Sequence, residues 1–177
     1  YQSNGLATVF LDIPFDSMMQ IEAKREEALK VGILLSSDDD YVSASMRYND
    51  DQNLNIKLRL KGDWVDHLET DKWSFRVHIT ENHGAVLGMK SFSLQGPETR
   101  NYTSEWGYHQ NLFIEDVLTP RYFFANVVVN GEHKGIYAVE EHFTEELLES
   151  QERREGVIIR IDEDLLWNNR ARFINSS

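Results

Sequence analysis

Two alternating runs, "LNIKLRLKGDW" (Leu54–Trp64) and "KWSFRVHI" (Lys72–Ile79), concentrate Lys57, Arg59, Lys61, Lys72 and Arg76 out of the chain's 18 basic residues. The acids of the same span, Asp63, Asp66, Glu69 and Asp71, all fall in the connecting loop. If the runs are neighbouring strands, their polar positions share one sheet face, and Ser74 and His78 join them. Cations packed in this way repel one another unless an anion or carboxylates neutralise them. Such a face suits a cradle for phosphate or carboxylate. The alternative is a solvated face whose lysines discourage edge pairing. A charge-assisted contact contributes roughly 1.5–3 kcal/mol, and micromolar binding needs about 8 kcal/mol. Three cations therefore orient a phosphate, but a metal ion or a base-stacking slot is needed to hold a nucleotide.

Other constellations carry less chemistry. Glu140 and Glu141 are adjacent, so on a strand they point to opposite faces and form no paired-carboxylate site. Asp162, Glu163 and Asp164 offer carboxylates to Mg²⁺ or Ca²⁺, yet lack the ligand spacing of a calcium loop, and a solvated surface is the plainer reading. The six histidines are scattered with no H-E-x-x-H, which argues against a zinc site. No G-x-S-x-G, Walker-type or G-x-G-x-x-G motif is present. Trp64, Trp73, Trp106 and Trp167 suit a core or an interface better than a ligand platform. Asn101-Tyr102-Thr103 and Asn175-Ser176-Ser177 match the short glycosylation triplet.

Composition narrows the function class. With 30 acidic and 18 basic residues the net charge is −12, which argues against sequence-independent binding to nucleic acid or anionic lipid. A local anion site is compatible with that charge. The absence of cysteine excludes disulfides, thiolate metal sites and cysteine nucleophiles. No apolar run approaches the length of a membrane span, and no signal peptide is visible. The opening residues 1–5, "YQSNG", resemble the remnant of a cleaved tag, and residues 6–177 fit one domain.

The elements that must position these groups are short. "TVFLDIP" (Thr8–Pro14) reads as a strand, and Ser17 with Gln20 has capping-box spacing for a helix that stops at Gly32. Met18, Ile21, Ala28 and Leu29 form that helix's narrow apolar stripe. "YVSASMRY", the two basic runs and "GMKSFSLQGP" supply further strands. A helix is expected from Glu105 to about Val117. Two β-rich runs flank Asn130-Gly131, the preferred pair for a type I′ hairpin. A short helix over Thr144–Arg153 and a last strand, "GVIIRI" (Gly156–Ile161), follow, and the C-terminal stretch reads as no single element. The order predicts an α+β fold: a twisted antiparallel sheet with about three packed helices.

Several phrases, in order, resemble one family. "IKLRLKGDWVDHLETDKWSFRV", "GMKSFSLQGPETR" with "EWGYHQ", "PRYFFANVVVNGEHKGIYAVEEHF" and "REGVII" look like the spore-coat protein H (CotH) kinase family, in a divergent branch. Asn130, Gly131, Gly135, Tyr137 and Glu141 carry its most specific part. The resemblance implies the N-terminal lobe of an atypical kinase-like fold, using ATP with Mg²⁺ or Mn²⁺ on a Ser or Thr of an exported or cell-surface bacterial protein. It implies Lys72 as the nucleotide-contacting lysine, with Arg59, Lys61 and Arg76 on the same face and Glu141 near the lobe junction. The loop Gly62–Asp71 departs from an ordinary phosphate loop in having a single glycine. The resemblance places the catalytic and metal-binding aspartates in a C-terminal lobe, and no segment after Ile161 matches one. A non-catalytic module holding an anionic or carbohydrate ligand is the alternative.

Overall fold

Alternation becomes strand at each run of the sequence up to Glu141 that shows it. A computed structural model describes residues 5–154, 156–159, 161 and 163–175, of which 164 and 175 by backbone only. The strands are β1 (Thr8–Asp12), β2 (Val42–Tyr48), β3 (Leu54–Leu60), β4 (Phe75–Ile79), β5 (Ser91–Gln95), β6 (Tyr122–Val129) and β7 (Glu132–Glu141). Their inward positions, among them Leu11, Leu58, Val77, Leu94, Val127 and Tyr137, are fully buried in one core. Burying each large apolar side chain stabilises the fold by roughly 1.5–3 kcal/mol. The alternate positions face outward.

The strands close into a barrel in the order β1-β2-β3-β4-β5-β7-β6. This corrects the α+β expectation of a twisted antiparallel sheet with packed helices in the manner of a kinase N-terminal lobe. Closure rests on β1, which pairs antiparallel with β2 (Leu11↔Met46) and parallel with β6 (Leu11↔Val129). Alternation shows that a segment is a strand, but not that it has partners on both sides. A closed sheet has no free edge, and β3 lies between β2 and β4, so its lysines guard no edge.

The β6–β7 hairpin turns at Asn130 and Gly131, both with positive φ (49° and 84°), as a type I′ turn requires. The Asn130 side chain accepts from Ile13 N at 2.7 Å and donates to Ile13 O at 3.0 Å, tying the turn to the end of β1. A bulge between Val127 and Val128 is accommodated opposite Gly135, at φ 84°.

The helices are few. α1 (Phe15–Val31) begins directly after Pro14, and Ser17 donates to Ser43 O at 2.9 Å rather than capping it. Ile21 and Ala28 bury its inner side, and Gly32 ends it in a left-handed conformation. α2 (Ser104–Ile114) stops earlier than expected, and α3 (Glu145–Ser150) is a short turn of helix. The strand expected over 156–161 does not form: Val157, Ile158, Ile159 and Ile161 are exposed and unpaired, and Arg160 lies outside the described residues. The C-terminal stretch instead forms α4 (Asp164–Asn175). No described helix is long and apolar enough to cross a membrane.

Candidate functional site

Outward positions of five adjacent strands line up in one row. Register pairs Arg59 with Arg76, Arg76 with Ser93, Ser93 with Glu140, and Glu140 with Tyr122. Lys61 follows Arg59 by two positions, so it leaves the same face. Its backbone N–H still donates to Ser74 O at 2.9 Å, which keeps it on the extension of β3. The Lys61 ammonium donates to Gln95 Oε1 at 2.6 Å and to Glu140 Oε2 at 2.8 Å, and Gln95 Nε2 donates to the same Glu140 oxygen at 3.3 Å.

Burial pulls Lys61 below the ordinary lysine value, with Glu140 opposing. Burial also acts to raise Glu140, but the charge and hydrogen bond of Lys61, with Arg100, outweigh it and hold the carboxyl below its ordinary value. At 2.8 Å the ammonium and the carboxylate form an ion pair. Behind them, His142 Nε2 lies 2.8 Å from Ser93 Oγ. Burial, then Arg76 and Lys61, push His142 down to about 3, so it is a neutral imidazole in this wall.

Beside the pair opens a cavity of about 330 Å³, lined by Lys61, Arg76 and Arg100 and by Asp63, Asp66 and Glu163. The loop after β3 forms one side of it. Gly62 sits at φ 118°, and a Cβ there would meet His67 Cδ2 at 2.6 Å, so the chain needs glycine at this point. His67 is buried, with Nδ1 3.0 Å from Ser74 Oγ. Trp64 of the loop packs edge-on against Trp167 of α4 at 5.4 Å, under the Arg170 guanidinium. The acid cluster expected at 162–164 enters here through Glu163 alone; Asp162 and the Asp164 side chain lie outside the described residues.

Of the site residues expected from the sequence, Arg59, Lys61 and Arg76 come together on this wall. Arg59 is buried, with its guanidinium over the Tyr41 ring and Nη1 donating to Leu60 O at 3.2 Å. Lys72 precedes β4 rather than opening it. Its ammonium sits 3.7 Å from Glu98 Oε2 and over the ring of Tyr137, and it lines a separate, largely apolar groove with Pro97, Tyr102, Phe124 and Ile136. Ser74 is buried against His67 instead of joining the open face, whereas His78 bonds Ser91 at 2.8 Å.

Glu141 faces the opposite way from Glu140, as adjacent strand residues must, and it is buried. Arg121 Nε donates to its Oε2 at 2.8 Å, Arg121 Nη2 to its Oε1, and the Arg121 backbone N–H to Oε2 at 3.2 Å. Arg121 Nη1 also reaches Leu87 O, so the pair joins the start of β6, the end of β7 and the loop before β5.

Sequence reasoning missed Gln95, Arg100 and Glu140. Glu140 has only Glu141 beside it in the sequence, and its true partner, Lys61, is 79 positions away. Gln95 alternates outward with Ser91 and Ser93, a signal that "SFSLQ" did contain.

The chemistry available on the wall is anion recognition by guanidinium and ammonium groups, with one lysine oriented by a carboxylate. No curated protein matches the chain. The family model described as CotH kinase protein matches residues 58–175, from within β3 to the end of α4, a span that contains Arg59, Lys61, Lys72, Arg76, Glu140 and Glu141. The chain belongs to the CotH kinase protein family.

Proposed function

We propose that this chain is the nucleotide-binding part of a CotH-like atypical protein kinase, which holds ATP with Mg²⁺ or Mn²⁺ and serves phosphorylation of a Ser or Thr on an exported or surface protein. The observation that carries it is the Lys61–Glu140 pair beside a cavity with two further cations, Arg76 and Arg100. In protein kinases a strand lysine that contacts the phosphates is oriented by an ion pair with glutamate. Here the lysine follows a strand in the same way, while the glutamate comes from β7 instead of a helix.

The donor set fits phosphate oxygens. Lys61, Arg76 and Arg100 would hold them, with Arg59 alongside in the wall, and Asp63 and Asp66 are carboxylates of the same cavity able to take the accompanying ion. Three charge-assisted contacts supply roughly 5–9 kcal/mol before binding costs. Lys72 would reach the ligand only from its own groove across the Pro97–Arg100 turn, whose Glu98 it pairs with. The contribution of Glu141 is indirect: its lock on Arg121 fixes the end of β7 and so the position of Glu140. Residues 6–177 act as one domain in this proposal, which assigns nucleotide binding, not the transfer step, to the residues named.

Titration calorimetry of ATP with Mg²⁺ or Mn²⁺ against wild type, Lys61→Met and Lys72→Ala tests it. Wild type should bind, and Lys61→Met should bind about 10- to 100-fold more weakly, the loss of one contact of roughly 1.5–3 kcal/mol. Absence of binding by wild type, or equal affinity in Lys61→Met, would overturn the proposal in favour of a non-catalytic module. A loss confined to Lys72→Ala would move the phosphate site to the Lys72 groove.

A further inference from the structure

Above the wall, α2 lies across β6 with His109 stacked on Tyr122, ring centroids 5.3 Å apart and planes at 21°. Glu105 and His109 are four residues apart on this helix, so both side chains project from one face. Register sets Glu140 opposite Tyr122, directly beneath that face. One ligand atom from each of Glu105, His109 and Glu140 lies within 4.8 Å of the others. Bonds of about 2.0–2.2 Å from a single ion reach donors separated by roughly 3–4.4 Å, so a small inward rotation of side chains closes the set.

We propose that Glu105, His109 and Glu140 form a binding site for a divalent first-row metal ion of the Zn²⁺ or Mn²⁺ kind. One imidazole with two carboxylates, and no thiolate, matches the donor preferences of those ions better than the all-oxygen shells of Mg²⁺ or Ca²⁺. Three independent features support it. His109 Nδ1 lies 2.6 Å from Thr119 Oγ1, which fixes the ring and leaves Nε2 to ligate, as a hydrogen bond on the other ring nitrogen does for metal-bound histidines. Glu105 Oε2 is buried without a hydrogen bond, although Arg100 Nε approaches to 3.3 Å. The Tyr122 ring stacked under His109 carries a buried hydroxyl without a hydrogen-bond partner.

Without an ion, Lys61 at 2.8 Å neutralises Glu140 and Arg100 neutralises Glu105. A metal ion must displace both, which keeps its affinity below that of a closed structural zinc site. Local spacing of the scattered histidines argues against zinc, since no second histidine lies within a helical turn of His109. The fold supplies the third ligand from a distant strand. The site shares Glu140 with the wall beside the proposed nucleotide cavity and competes for Lys61 and Arg100, but Glu105 and His109 belong to it alone and its test contains no nucleotide, so either proposal can fail alone.

The test is calorimetric titration of Zn²⁺, and separately Mn²⁺ followed by its paramagnetic resonance, into metal-stripped protein. Wild type should take up one ion per chain, and excess Mg²⁺ should leave that uptake in place. Glu105→Gln and His109→Gln should each weaken it at least tenfold while far-UV circular dichroism stays unchanged. If His109→Gln fails to fold, Glu105→Gln, altered at a partly exposed position, decides the matter. No uptake by wild type, displacement by Mg²⁺, or uptake unaltered in Glu105→Gln (adventitious binding at surface groups) would overturn the proposal.

Discussion

Lys61 and Glu140 meet at 2.8 Å on the outer wall of the barrel, one from the extension of β3 and the other from β7, although 79 positions separate them in the chain. Both are mostly buried, so neither charge is well solvated without the other. Removing one partner leaves the other charge uncompensated, whereas removing both restores an uncharged wall. Lys61→Met and Glu140→Gln alone should each cost about 2 kcal/mol, and the double variant less than their sum by about 1–2 kcal/mol. A double-mutant cycle by urea denaturation, in chelator to exclude metal effects, measures this. Costs that add within about 0.5 kcal/mol would mean that the pair is not coupled in solution.

Barrel closure depends on a contact that the turn alone does not need. Asn130 takes positive φ as the first residue of the hairpin turn, and its amide also closes two hydrogen bonds with Ile13 at the end of β1. Asn130→Ala should lose both bonds and strain the backbone, costing roughly 2–4 kcal/mol. Asn130→Gly keeps the turn and loses only the bonds, so it should cost roughly 1–2 kcal/mol. Urea midpoints at unchanged m-value give both numbers. If Asn130→Gly matched wild type, the stitch to β1 would carry no stability.

Acid should weaken the fold through His67. Burial, with Lys61 and Arg100, pulls its imidazole below the ordinary 6.5, while Asp66 and Asp63 oppose. In the unfolded chain the ring takes a proton as pH falls through about 6.5, but in the folded protein it stays neutral until lower pH. The contribution of His67 is therefore complete above that value and is lost as pH falls toward the folded value, at up to about 1.4 kcal/mol per pH unit. Stability curves for wild type and His67→Gln between neutral and mildly acidic pH should differ in slope, the variant being flatter. Parallel curves would show that His67 does not titrate differently in the two states.

How much of this was legible in the sequence depends on whether the signal is local. Alternation located β2, β3 and β4, β-rich composition located β1 and the runs of β5, β6 and β7, and Asn130-Gly131 identified its turn, because each signal reports on a few neighbouring residues. The same period put Arg59, Lys61 and Arg76 on one face, and register then set Arg59 directly opposite Arg76. Closure was not legible: five residues of β1 say nothing about pairing with β6, which lies more than a hundred positions away. The run at 156–161 has β-forming composition, but its described residues pair with no described strand, so composition misled there. Ser17 had the right spacing for a cap, yet Pro14 started the helix earlier and Ser17 was taken by Ser43. Glu105 and His109 fall within the helix expected from Glu105 to about Val117, but nothing local singles them out, because Glu140, which turns them into a constellation, is brought in only by the fold.

The last prediction separates a lock from a ligand contact at Glu141. The carboxylate is buried and both its oxygens are taken by Arg121, which is itself only partly exposed. Glu141→Gln keeps the shape but leaves the Arg121 guanidinium facing a neutral amide, and should cost about 3 kcal/mol, the low end for a broken buried pair because Arg121 still reaches water. Lys72→Ala, which loses an ion pair at 3.7 Å between partly exposed groups, should cost within about 1 kcal/mol. Both follow from chemical denaturation. ATP affinity measured under conditions where Glu141→Gln remains folded should stay within about twofold of wild type, since the carboxylate points away from the cationic wall. A variant of full stability with much weakened ATP binding would instead make Glu141 part of the nucleotide site, and the assignment of its role to Arg121 would be wrong.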